Sequence, residues 1–111
     1  MSKVYLPPEG DEIFSGDDKE LNFGVTGIAN LTGYVIRFEL FTFAGAQVFS
    51  KSSGSGVALE GLINFVVTLD AADTANLAGI YKYEIEGTSP LGKVITLAYG
   101  HINILADMIG A

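Results

Sequence analysis

LDAADTANLAGIYKYEI, residues 69–85, is the stretch whose reading decides the fold. Leu69 closes one alternating apolar run, and IYKYEI opens another, with Tyr81, Tyr83 and Ile85 alternating with Ile80, Lys82 and Glu84. The link between them, AADTANL, is short, polar and Ala-rich. It has room for one helical turn and no more, so the stretch reads as strand, corner, strand. Asp70 and Asp73 flank the corner. A catalytic carboxylate pair needs a cleft and surroundings that push two pKa values apart, and nothing in the stretch implies either. Asp73 and Thr74 suit the capping of a short turn, whose first N–H groups lack partners. Tyr81 and Tyr83 point into the core, or one hydroxyl ties back onto the corner, as it does in some sandwich domains.

The same period of two extends in both directions. Leu21, Phe23 and Val25 alternate with polar or small residues; Tyr34, Ile36, Phe38 and Leu40 alternate with Val35, Arg37 and Glu39, and Ile63, Phe65, Val67 and Leu69 with Leu62, Asn64, Val66 and Thr68. Each run has one face for a core and one for solvent. QVFSKS and KVITLAYGHINIL add two strands, and VYL and VAL are weaker candidates. In KVITLAYGHINIL, Ile95 and Leu97 suit the core in one register, and Ile102 and Ile104 in the other. A bulge near Tyr99 and Gly100 reconciles the halves; the alternative is a strand covered on both faces. AGAQ, SSGSG and SPLG punctuate the runs as turns, with Gly54 and Gly56 free to take positive φ. Turn signals every 8–12 residues describe an all-β sandwich or barrel.

Bulk properties narrow the function. A chain of 111 residues makes one domain. We take 1–111 as that domain, with a core of about 11–105 and short tails. There is no cysteine, which excludes disulfides, thiolate metal sites and cysteine nucleophiles. The net charge is −7 and the six basic residues are scattered, whereas phosphate recognition needs them clustered. Neither nucleic acid nor an anionic membrane is an expected partner. No leader pattern opens the sequence, and no apolar run approaches the ~18 residues of a membrane span. Charged residues are 17%, against about 25% in typical soluble domains, so apolar side chains are expected at the surface. That favours a protein in contact with copies of itself or with a partner.

Candidate chemistry is sparse. Glu9, Asp11, Glu12, Asp17, Asp18 and Glu20 crowd the N-terminal region, but without the D-x-D-x-D-G spacing of a calcium loop they read as a solvated acidic segment. His101 is the lone histidine, and metal sites draw several N or S ligands together. There is no G-x-S-x-G elbow, P-loop or dinucleotide fingerprint. Asn30-Leu31-Thr32 matches a glycosylation sequon and reads equally as a turn. No catalytic residue, metal or cofactor is expected. The aromatics are more informative. After Arg37 and Glu39, the outward face of their strand becomes Phe41, with Phe43 beyond it, and Val66 and Ile80 also fall on outward faces. These residues are covered by a tail of the same chain or form a docking patch. Candidate contact residues are Phe41, Phe43, Val66, Tyr99, Met108 and Ile109.

The order of motifs adds a resemblance. GDDKELNFGVTG, NLTGYVIRFEL, a Ser/Gly loop, FVVTLDAADTANLAGIYKYEIEGT and GKVITLAYGHINI follow one another over roughly residues 16–104. In this order they resemble the small immunoglobulin-like domains of tailed-bacteriophage structural proteins, and are similar to the N-terminal domain of upper baseplate proteins. The resemblance implies an antiparallel immunoglobulin-like β-sandwich of about seven or eight strands. It also implies a virion setting, with assembly in the host bacterial cytoplasm, and a non-enzymatic role. Other phage structural proteins, and the chain itself, are the expected partners. Baseplate proteins continue well past the point matching Ile104, so head decoration, neck and tail positions stay open beside the baseplate. The rival expectation is a host-surface or carbohydrate-binding adhesion module, although the absence of tryptophan weakens a sugar site.

Overall fold

The computed structural model describes residues 3–5 and 12–106, with the backbone alone described at 3–5, 12 and 14. Among them, nine strands and one short helix are laid out along the chain. They are β1 (Lys3–Tyr5), β2 (Glu12–Phe14), β3 (Lys19–Thr26), β4 (Val35–Thr42), β5 (Gln47–Ser53), β6 (Gly56–Leu59), β7 (Asn64–Leu69), α1 (Ala71–Thr74), β8 (Gly79–Thr88) and β9 (Val94–Leu105). All nine strands join one sheet in the order β1-β3-β7-β6-β5-β4-β8-β9-β2. The all-β expectation holds, and both weak candidates, VYL and VAL, are strands. The pairing is mixed, however, where antiparallel pairing was expected throughout. β2 runs parallel to β9, and β6 meets β5 in parallel over two residue pairs.

The sheet curls over on itself, because each half has one apolar face that must leave water. Phe23 of β3 and Tyr83 of β8 are not ladder neighbours, yet their rings lie 6.0 Å apart. Phe65 stacks on Phe23 at 5.2 Å and Phe38 on Tyr83 at 5.8 Å, so an aromatic seam runs across the core. Around it the alternating residues Leu21, Val25, Ile36, Leu40, Val67 and Ile85 are almost fully buried. Gly100 makes room for the seam. A Cβ there would lie 3.0 Å from the Tyr83 ring and hydroxyl, closer than side chains normally pack.

The bulge in β9 exists but sits earlier than Tyr99–Gly100. Ile85 pairs with Ala98 and Glu86 with Thr96, so Leu97 is the extra residue. Leu97 and Ala98 are both buried, and Ile102 and Ile104 follow in the core register. Ile95, expected in the core, lies on the far side of the bulge and is 36% exposed.

The corner is a single turn, α1, as its composition implied, but long-range bonds hold it. Ala71 N–H donates to the Asp18 carboxylate at 2.7 Å. The Ser15 hydroxyl donates to the Thr74 carbonyl at 2.7 Å, and Gly16 N–H donates to the Thr74 hydroxyl at 3.0 Å. Thr74 therefore serves the neighbouring 15–18 segment rather than capping its own turn. Asp73 does reach back as a cap, accepting from Asp70 N–H at 2.7 Å, and Lys51 pairs with it at 2.7 Å. The Tyr83 hydroxyl lies over Gly100 of β9.

Candidate functional site

The outward residues of β4, β8 and β9 form a face whose rows follow from the ladder. Phe41 stands opposite Lys82, and Lys82 opposite His101; the next row is Glu39, Glu84 and Tyr99. Phe43, just past β4, leans back across this face. Its ring stacks on His101 at 5.9 Å with 27° between planes, and Lys82 Nζ lies 4.8 Å from its centroid. A cation over an aromatic face at an exposed site is worth about 0.5–1 kcal/mol, enough to hold the Phe43 ring flat on the surface.

The result is a shallow depression of about 370 Å³ between Phe41, Lys82, Glu84, Tyr99 and His101, with Tyr83 and Gly100 as its floor. Tyr99 is 80% exposed and Phe43 59%. Two carboxylates, Glu39 and Glu84, face each other across the ladder. Arg37 offsets that repulsion by pairing with Glu39 at 2.8 Å. The site thus combines large exposed rings, the Lys82 cation and the Glu39 and Glu84 carboxylates on a rigid sheet. Such a surface can bind by desolvating rings and orienting a partner through charge.

The expected contact residues separate here. Phe41, Phe43 and Tyr99 come together on this face. Val66 does not: it is 8% exposed, standing between Asn22 of β3 and Ala58 of β6 in the middle of its half of the sheet, and has little surface to offer. Met108 and Ile109 lie outside the described residues. Lys82 and Glu84 carry no signal of their own in the sequence and His101 only that of a lone histidine; the cross-strand pairing turns them into neighbours of the rings. Ile80 is 54% exposed on the same strand face, as its alternation implied.

The other candidates resolve into structure. Asp70 and Asp73 belong to the turn and the Lys51 ion pair, and Asp18 holds the helix start. Asn30 accepts from Thr32 N–H at 2.8 Å, an Asx-type turn that leaves Leu31 fully buried. Among the described residues no group of three or more His, Cys, Asp or Glu is placed to hold a metal. Among them, too, no helix is long and apolar enough to cross a membrane.

No family model matches the chain, and no curated protein does. Among solved structures it is similar to part of a polysaccharide deacetylase from Bacillus cereus. That match has a TM-score of 0.51 at 15% identity, covering 93% of this chain and 30% of that one. A β-glucosidase from Listeria innocua, solved with isofagomine, aligns with a TM-score of 0.47 at 16% identity, covering 96% of this chain and 16% of that one. The chain spans less than a third of the length of either. At such identities the first likeness concerns the backbone fold alone.

Proposed function

We propose that the chain is an immunoglobulin-like β-sandwich that serves as a non-enzymatic accessory or adaptor protein of a tailed-phage particle, holding neighbours through surface contacts. The strand order supports the sandwich. In chain-order terms β1-β3-β7-β6 corresponds to the A-B-E-D sheet, and β5-β4-β8-β9 to the C′-C-F-G sheet, of immunoglobulin domains. The motif order over roughly residues 16–104 supports the particle setting. The observation that carries the contact role is the ring cluster on a rigid sheet face, in which Phe43 and Tyr99 are exposed and Phe41 is half-buried beside them. Aromatic residues of this kind anchor protein–protein interfaces, and the mixed charges around them supply a polar rim.

The test is incorporation. Phe41→Ser/Phe43→Ser protein, expressed in place of the natural chain, should fold and yet be lost from purified particles. Retention at the natural level would remove this face from the contact role.

A second reading has one observation in its favour. Tyr99, with Lys82, Glu84 and His101 at its edge, offers a flat ring beside polar groups, which is what a sugar ring requires. A host-surface adhesion module would then bind glycans as the isolated domain and lose that binding on Tyr99→Ser. The absence of any titratable binding across a glycan panel removes this reading.

A further inference from the structure

The β8–β9 hairpin carries a second apolar surface, remote from the Phe41–Phe43 face. Residues 89–93 form its tip, and Leu91 there is 87% exposed. Val94, Val35 and Ile95 beside it are 62%, 54% and 36% exposed. An exposed Leu on a loose loop would mean little. This tip is held in shape. Ser89 N–H donates to the Lys93 carbonyl, Gly92 N–H to the Ser89 carbonyl, and Lys93 N–H to the Ser89 hydroxyl. Pro90 packs so closely on Gly33 that a Cβ there would lie 2.9 Å from its Cγ. Lys93 is the only charge in residues 88–95.

At the opposite end of the same hairpin lies a groove of about 590 Å³. The register fixes this separation: Thr88 pairs with Val94 beside the tip, and Gly79 with Ile104 beside the groove. Ten residues of strand at ~3.3 Å each separate the two by about 30 Å. The groove is walled mainly by alanines of the corner and by Leu77, with Asn76, Ser15 and Gly16 as its polar and small members. Asp17, Asp18 and Asp70 stand next to those walls in sequence, all exposed. One end of the molecule is therefore a preformed apolar projection bearing a cation. The other is an apolar groove with an acidic rim.

We infer that these two surfaces join copies of this chain head to tail, the Pro90–Leu91 tip of one seated in the alanine-walled groove of the next with Lys93 against the Asp17–Asp18 rim. The two surfaces differ, so the contact is heterologous and propagates into a ring or an open row rather than closing as a two-fold dimer. Charge favours this order, because it sets the cationic end of a −7 chain against an anionic end of its neighbour. The contact is small. Interfaces under about 1,200 Å² are weak on their own, so association belongs at high protein concentration or where a larger assembly holds the copies in register. The inference concerns the purified chain and stands apart from the Phe41–Phe43 face and from the virion setting.

The test uses light scattering over a concentration series up to on the order of 1 mM, where contacts of about −4 kcal/mol become visible. The natural chain should rise above its monomer mass of 11.7 kDa. A tip variant, Leu91→Asp/Val94→Asp, and a groove variant, Ala72→Gln/Ala75→Gln, should each stay monomeric alone. Mixed in equal amounts, they should form a species of twice the monomer mass and stop there, because each retains one intact half of the contact. Urea midpoints matching the natural chain confirm folding, and Leu91→Ser replaces the tip variant if its midpoint moves. Association of the groove variant by itself would mean tip-to-tip contact and overturn the proposal. So would a mixture that stays monomeric, as it would if residues 107–111 or a different partner fill the groove, or a natural chain that is monomeric throughout.

Discussion

Phe38 and Phe43 lie five positions apart, and the structure assigns them opposite energetics. Phe38 is fully buried, stacked on Tyr83 at 5.8 Å and tilted against Phe49 at 6.3 Å. Replacing such a ring by Ala removes its transfer energy and leaves a cavity, at a cost of about 3–5 kcal/mol. Phe43 is 59% exposed, so folding hides about two-fifths of it. Complete burial of a Phe is worth roughly 1.5–3 kcal/mol, which scales here to ~1 kcal/mol. The Lys82 contact adds about 0.5–1 kcal/mol. Phe43→Ser should therefore cost about 1–2 kcal/mol, well inside the 5–15 kcal/mol typical of a domain, while Phe38→Ala consumes a large part of it. Urea unfolding followed by far-UV circular dichroism gives both numbers, with equal m-values as the check on two-state behaviour. A Phe43→Ser loss above ~3 kcal/mol would show that the ring belongs to the core and that the exposed-face reasoning fails. A Phe38→Ala loss below ~1 kcal/mol would refute the placement of the aromatic seam.

Three further outcomes follow from the corner and the seam. Thr74→Val keeps the shape of a fully buried side chain but strips the acceptor from Gly16 N–H, and should cost about 1–3 kcal/mol in urea unfolding. Lys51→Met removes the 2.7 Å partner of Asp73, which is only 20% exposed; the loss should be ~1–2 kcal/mol and should shrink when measured in 1 M salt. Gly100→Ala presses a methyl group on the Tyr83 ring and should destabilise by about 1–3 kcal/mol. Combined with Tyr83→Leu, its cost should be less than additive, because the two side chains share one space.

Much of the fold was legible because period-two alternation is a local signal. Leu21, Phe23 and Val25, or Ile36, Phe38 and Leu40, declare their buried face from spacing alone. Signals failed where burial depends on a distant neighbour. Val66 occupies an outward position by alternation, and flanking strands cover it. Ile95 is turned outward by a bulge one pair away, and nothing local distinguishes a bulge at Leu97 from one at Tyr99. The parallel contacts of β2 and β6 rest on two or three residue pairs each, too few to leave a pattern. The corner was recognisable as a corner, but its fastening joins Ser15 to Thr74 across 59 positions. The aromatic face divides in the same way. Phe41 announced itself by breaking the alternation, whereas the stacking of Phe43 on His101 exists only once β8 brings β4 and β9 together. The hairpin tip at Leu91 is legible in the sequence only as a turn, because turn chemistry says where a chain reverses and not what the reversal presents.

The proposal that this chain is a particle component is tested most directly by quantitative mass spectrometry of virions purified from the bacterium that produces the chain. The account predicts the chain in the particle at a fixed stoichiometry set by closed symmetry: on the order of hundreds of copies for a head position, or about 6 or 12 for the tail, neck or baseplate. Its absence from particles that contain the other structural proteins would contradict the account.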